Sequence, residues 1–153
     1  IAYGIFCCTG ILSNHESPLR PNRFVTKKIV KQVSEIKSGL RDSLSLGNVN
    51  IHRDWGWAPE YVKAMYLMLE SSTADDYIIS SGSSNSLKKF VNLAFQYFDL
   101  NPEKFIKIDN SFIRPADISY SAMNPKKILK NLGWKAEKDL DYIVKSMIEN
   151  KLY

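Results

Sequence analysis

Gly10-Ile11-Leu12-Ser13-Asn14-His15-Glu16-Ser17-Pro18 is the stretch from which the rest of the chain can be read. Its first residues close an apolar run, Ala2 to Leu12, which holds Ile5, Phe6, Cys7, Cys8 and Ile11 and reads as a buried strand. Its second half is polar and, with Pro18 and Pro21, reads as a loop from Ser13 to Asn22. Open α/β sheets bind ligands at the carboxyl ends of their strands, which is where this loop would begin. Asn14, His15 and Glu16 would put donors and acceptors there, although the same residues also suit an exposed polar loop.

Downstream, Val25, Ile29, Val33, Ile36 and Leu40 recur at helical spacing between Phe24 and Leu40, with Gly39 as a stop. Ser43 to Leu46 alternates like a strand and ends in the turn Gly47-Asn48. Pro59 suits the first turn of a helix reaching about Leu69, expected to face Val62, Met65, Met68 and Leu69 inward. Tyr77 to Ile79 and Phe105 to Ile108 read as strands. Between them Leu87, Phe90, Val91, Ala94, Phe95 and Phe98 mark an amphipathic helix. Asn124-Pro125 and Gly133 bracket a short helix, and a last helix carries Leu140, Ile143, Val144 and Met147 on one face. The order β-α-β-α-β-α-β-α-α implies an α/β fold in one unit over residues 1–153, without repeats or an internal linker.

Hydrophobic residues make up 44% of the 153 and charged residues 24%, as in a globular domain with a core of its own. The net charge of +5 is spread along the chain, which suits a polyphosphate ligand better than a nucleic-acid partner. No stretch approaches the ~18 apolar residues needed to span a bilayer, so no membrane partner is expected. Ile1 to Leu12 also lacks the basic start and small-residue cleavage site of a secretory signal. The chain opens on Ile1 inside an apolar run, which leads us to expect a fragment of something longer. Cys7 and Cys8 are adjacent, would point to opposite faces of a strand and should not bridge; both read as reduced and buried in a cytoplasmic protein. No metal cluster is evident.

Three further clusters carry polar chemistry. Phe24-Val25-Thr26-Lys27-Lys28 opens a helix, where free N–H groups, a hydroxyl and lysines favour an anion, though solvated lysines are also ordinary there. His52-Arg53-Asp54-Trp55-Gly56 reads as a loop before a helix. Arg53 could grip a phosphate or staple the turn to Asp54, with Trp55 in the core. In Arg114-Pro115-Ala116-Asp117 the proline keeps Arg114 extended within a loop. Arg20, Arg53 and Arg114 together could converge on a polyphosphate. There is no G-x-G-x-x-G, Walker loop, G-x-S-x-G or H-E-x-x-H, and no spacing supports a Ser–His–Asp set around His15 or His52.

These clusters, in this order, resemble the C-terminal, substrate-binding half of GDP-mannose 4,6-dehydratases. Gly10 to Pro18 resembles their G-I-L-F-N-H-E-S-P, Phe24 to Ile29 their F-V-T-R-K-I, and Leu46-Gly47-Asn48 with Arg53 to Gly56 their L-G-N and R-D-W-G. Arg114, Pro115 and Asp117 resemble R-P-T-E, and Leu132-Gly133-Trp134 an L-x-W. The resemblance covers nearly the whole chain, and N-H-E-S-P is its most specific element. It implies the end of a Rossmann sheet plus the smaller mixed α/β lobe of an extended short-chain dehydrogenase. It further implies NADP contacts from His15 and Arg20, and GDP-sugar contacts from Asn14, Thr26, Lys28, Leu46, Gly47, Arg53, Arg114 and Asp117. The activity implied is a lyase reaction: hydride leaves sugar C4 for NADP, water is lost across C5–C6, and hydride returns to C6. A homo-oligomer is implied for the full-length protein.

None of the eight tyrosines has a lysine four residues later, so the family's Tyr-x-x-x-Lys pair and cofactor glycines are expected upstream of Ile1, and these residues alone are expected to be inactive. Several positions depart from the family pattern: Ser13 for Phe, Leu19 for Arg, Pro21-Asn22-Arg23 for a glycine-containing loop, and Asp117 for Glu. Alternatives are a non-catalytic binding module, a GDP-sugar reductase or epimerase, or a GDP-heptose dehydratase.

Overall fold

A computed structural model describes residues 3–113 and 116–152. In chain order its elements are β1 (Thr9–Leu12), β2 (Asn14–Glu16), α1 (Val25–Lys37), β3 (Leu44–Leu46), β4 (His52–Trp57) and α2 (Ala58–Leu69). Then follow β5 (Asp76–Ile79), β6 (Ser84–Ser86), α3 (Leu87–Tyr97), β7 (Ile106–Ile108), α4 (Lys126–Leu132) and α5 (Leu140–Glu149). The α/β class expected from the sequence is observed.

The opening stretch is shared by two sheets. β1 runs parallel to β5, with Ile11 beside Ile78. Ser13 donates its N–H to the Ile79 carbonyl (3.0 Å), and β2 then runs parallel to β4, with Asn14 beside Trp55. β6 pairs antiparallel with the other edge of β4, while β3 and β7 form a separate parallel pair. Two apolar clusters follow from this split. The larger packs α1, α3 and α5 around β3 and β4 through Ile29, Val33, Phe90, Phe95, Ile143 and Met147. The smaller gathers Tyr61, Met68, Tyr77, Ile79, Ile128 and Trp134 under α2 and α4.

Five expectations need correction. The first strand begins at Thr9, because β5 offers pairing only from Asp76, the partner of Thr9. Cys7 is therefore exposed and Cys8 half-buried, both as free thiols. Residues 14–16 are strand rather than loop, and so are residues 52–57; in both, polar side chains mask the alternation that marks a strand. β6, Ser-Asn-Ser, carries no apolar signal at all. Finally, α2 is rotated from the expected face. Tyr61, Ala64 and Met68 are buried, while Val62 (63% exposed), Met65 (38%) and Leu69 (65%) face outward. Gly56 sets that rotation, since a Cβ there would overlap the Tyr61 ring that lies against it.

Helix ends follow their local chemistry. Ser86 caps α3 by accepting from the Lys89 N–H (3.1 Å), and Asp139 caps α5 by accepting from the Tyr142 N–H (2.8 Å). Gly133 closes α4 in the left-handed region (φ 66°), as its position predicts. Beyond α4, Trp134 donates its Nε1–H to the Glu60 carbonyl (3.0 Å), which ties that segment to α2.

Candidate functional site

A pocket of about 770 Å³ opens where β2, the start of α1, the end of β3 and the segment around Phe112 meet. Asn14, Arg20, Thr26, Lys28, Leu46, Gly47, Arg53 and Asp117, drawn from all four sequence clusters, line it. His15 does not. Its Nδ1 lies 3.0 Å from the Ser13 carbonyl oxygen and its ring packs near Tyr61, with centroids 5.3 Å apart. Arg114 lies outside the described residues.

The floor of the pocket is built on Glu16, a carboxylate only 1% exposed. Thr26 donates its hydroxyl to Glu16 Oε2 (2.7 Å), and Arg20 Nε lies 3.4 Å from the same oxygen. Burial pushes the Glu16 carboxyl up to about 7; the Thr26 hydrogen bond and the Arg20 charge oppose the rise but do not cancel it. Thr26 thus points into the floor, placed there by the first turn of α1. Phe24, the residue before that helix, gives no side-chain cap and its first turn holds no acidic residue, so the acid that meets its partial positive end is Glu16, through the Thr26 hydroxyl.

The far wall joins β3 to the segment after β7. Lys28 donates to the Ser45 carbonyl (2.8 Å), and its ammonium sits 4.0 Å from the Phe112 ring centroid. Burial pushes the Lys28 pKa down, and the nearby Arg41 charge adds to the fall. Gly47 is required by close approach: a Cβ there would lie 2.8 Å from the Phe112 carbonyl oxygen. Phe112 and Ile113 are about half exposed, and both face the pocket with Leu46, Ile51 and Leu87.

A strap of residues 116–121 closes the remaining side. The His52 N–H donates to the Ser119 carbonyl (2.8 Å), and the Ser121 N–H donates back to the His52 carbonyl (3.1 Å). Arg53 fastens the strap by pairing with Asp117 (2.7 Å) and donating to the Ile118 carbonyl. Of the two sequence alternatives for Arg53, a staple is therefore present, but it reaches Asp117 and not Asp54.

Asp54 has a separate task that the sequence reading did not foresee. It is 1% exposed, accepts from the Ser13 hydroxyl (3.0 Å), and receives the N–H groups of Ser81 (3.0 Å) and Gly82 (2.9 Å). Ser13 also lies 2.6 Å from the Tyr61 hydroxyl. A phenylalanine at position 13 could make neither contact, so this departure is matched to its surroundings. Arg23, Phe24, Asn48 and Phe112 also line the pocket without having been named as contacts, and Glu16, read from the sequence only as one of the polar groups after the first strand, forms its floor. For Arg23 the available signal was its replacement of a glycine-containing loop; for Glu16 it was an acid inside the most specific motif.

The family model described as GDP-mannose 4,6 dehydratase matches residues 1–147. GDP-mannose 4,6 dehydratase 2 of Arabidopsis thaliana is 40% identical over 151 residues, covering 99% of this chain and 40% of its own length. GDP-mannose 4,6 dehydratase of Homo sapiens is 32% identical over 164 residues, covering 96% of this chain and 44% of its own. The chain thus spans less than half the length of these curated relatives. Among solved structures, RMD from Pseudomonas aeruginosa complexed with NADPH superposes with a TM-score of 0.88 at 19% identity, covering 97% of this chain and 48% of that one. The UDP-glucose 4-epimerase of Thermotoga maritima with UDP-glucose gives 0.79 at 17% identity, covering 97% and 46%. At such identities the structural likeness shows the fold alone.

Proposed function

The chain belongs to the GDP-mannose 4,6-dehydratase family, and from that premise we propose that it is the substrate-binding half of a nucleotide-sugar dehydratase whose pocket takes GDP-mannose. One observation carries this reading. Four clusters far apart in sequence line a single pocket with four basic side chains, Arg20, Arg23, Lys28 and Arg53, against two carboxyls, Glu16 and Asp117. Burial holds one of those carboxyls, Glu16, partly protonated near neutral pH. Such a basin suits a diphosphate. The apolar wall of Leu46, Phe112 and Ile113 suits a base and ribose. Arg53 and Lys28 reach the ligand by exchanging the partners they now hold.

The overall reaction in this reading converts GDP-mannose to GDP-4-keto-6-deoxymannose. A nicotinamide cofactor, NADP in the family, would take up hydride and return it. His15 suits an edge contact to such a group, since only one of its ring nitrogens has a hydrogen-bond partner among the described residues. This chain's own part is to bind and orient the nucleotide; in this reading it supports no turnover alone.

Calorimetric titration of the protein with GDP tests the reading. GDP should bind, and Arg53→Ala should weaken it by about tenfold, the worth of one charge-assisted contact. No affinity for GDP, or an Arg53→Ala variant indistinguishable from wild type, would remove the proposal.

A further inference from the structure

The four basic side chains of the pocket are not equivalent. Arg53 is spent on Asp117 and two carbonyls, and Lys28 on the Ser45 carbonyl and the Phe112 ring. Arg23 is not spent in this way, and Arg20 meets a single carboxyl, Glu16, at 3.4 Å. Both guanidinium groups lie over the same ring, Phe24, with Cζ 3.7 Å from its centroid for Arg20 and 5.1 Å for Arg23. Arg20 Nε is buried without a hydrogen bond, and Arg23 enters none of the ion pairs among the described residues. Two guanidinium groups gathered on one ring repel each other. The one carboxylate within reach, Glu16, meets only Arg20 and is partly neutralised by burial. A positive potential is therefore left uncompensated at this end of the pocket.

We propose that Arg23 is a binding residue of this pocket and that, with Arg20, it grips the diphosphate of the ligand across the Phe24 ring. This rests on the reading of the pocket as a nucleotide site and names the end at which the phosphates lie. The guanidinium fork matches paired phosphate oxygens, and the ring orients both forks in advance, so little side-chain freedom is lost on binding. Pro21-Asn22-Arg23 departs from the family pattern, so the contact is a property of this chain and is not carried over by resemblance.

The test titrates wild type, Arg23→Gln and Arg23→Lys with GDP, inorganic pyrophosphate, guanosine and NADP, with thermal melting as a control. Arg23 is exposed and its approach to the Phe24 ring is a surface contact, so melting should move little. We expect Arg23→Gln to weaken GDP and pyrophosphate by about tenfold and guanosine by less than about twofold, with part of the affinity restored in Arg23→Lys. A loss confined to pyrophosphate and NADP also supports the diphosphate grip and assigns that diphosphate to the cofactor. If wild type binds GDP and Arg23→Gln binds every probe equally well, the Arg23 inference falls and the nucleotide pocket stands. If wild type binds pyrophosphate through Arg23 but not GDP, the nucleotide reading falls and the anion grip stands. If wild type binds none of the probes, both fall.

Discussion

Glu16 is a carboxyl buried for what it holds, since it takes the Thr26 hydroxyl and faces Arg20 from beneath the pocket. Its folded pKa of about 7 lies above the ordinary 4.5, so the folded state holds the proton more tightly than the unfolded chain. The stability this contributes is complete below about pH 4.5 and is lost as the pH rises through about 7. Glu16→Gln can still accept from Thr26 but cannot ionise. Between pH 5 and pH 8 wild type should therefore lose stability relative to this variant, by on the order of 3 kcal/mol. Urea unfolding of both proteins at the two pH values measures the difference. Parallel pH dependences would mean that Glu16 keeps its charge in the fold and that Arg20 outweighs burial.

At the scale of elements, what could be read from the sequence depended on whether burial and apolar character coincide. α1, α3 and α5 bury one stripe of aliphatic and aromatic residues each, so the period of 3.6 placed them within a few residues. β2, β4 and β6 carry Asn, His, Glu, Arg, Asp and Ser, and their place in a sheet comes from backbone pairing and internal hydrogen bonds that no periodicity reports. The buried face of α2 differs from the one its apolar spacing suggests because packing of the Tyr61 ring against Gly56 fixes it. Most of the candidate site was legible through the family motifs, while the Asp54 anchor and the exchange of Arg53 onto Asp117 required coordinates. The turn after β3 offers a test of the wall it supports. Gly47→Ala would press on the Phe112 carbonyl, so the 112–113 backbone must move into the pocket or away from it. Overpacking of this kind costs about 1–3 kcal/mol, and GDP affinity should fall by about tenfold or more, since the same wall lines the pocket. Equal affinity in the variant, measured beside its unfolding curve, would detach this wall from binding.

Over the whole molecule, α2 covers the smaller apolar cluster with one face and leaves apolar side chains exposed on the other. β1 and β5 form a two-stranded parallel sheet, an arrangement that elsewhere is buried on both faces and seldom stands alone. On its flank Val62, Tyr66 and Leu69 of α2 are more than half exposed, and Ile11 of β1 is 49% exposed. Among the described residues nothing pairs with the second edge of β1. Such an edge beside an apolar helix face is a template for another chain. Since curated relatives are more than twice as long as this chain, the covering surface we propose is the cofactor-binding half of the same fold. The 153-residue chain by itself should then self-associate as its concentration rises. Val62→Lys with Leu69→Lys should suppress that association without lowering the melting temperature, because both side chains leave the core intact. Sedimentation velocity over a concentration series reads the first effect and thermal unfolding the second. A wild-type chain that remains monomeric would show that the pair of strands and α2 suffice as they stand. A double variant that melts earlier would show that the α2 face is already packed against this chain itself.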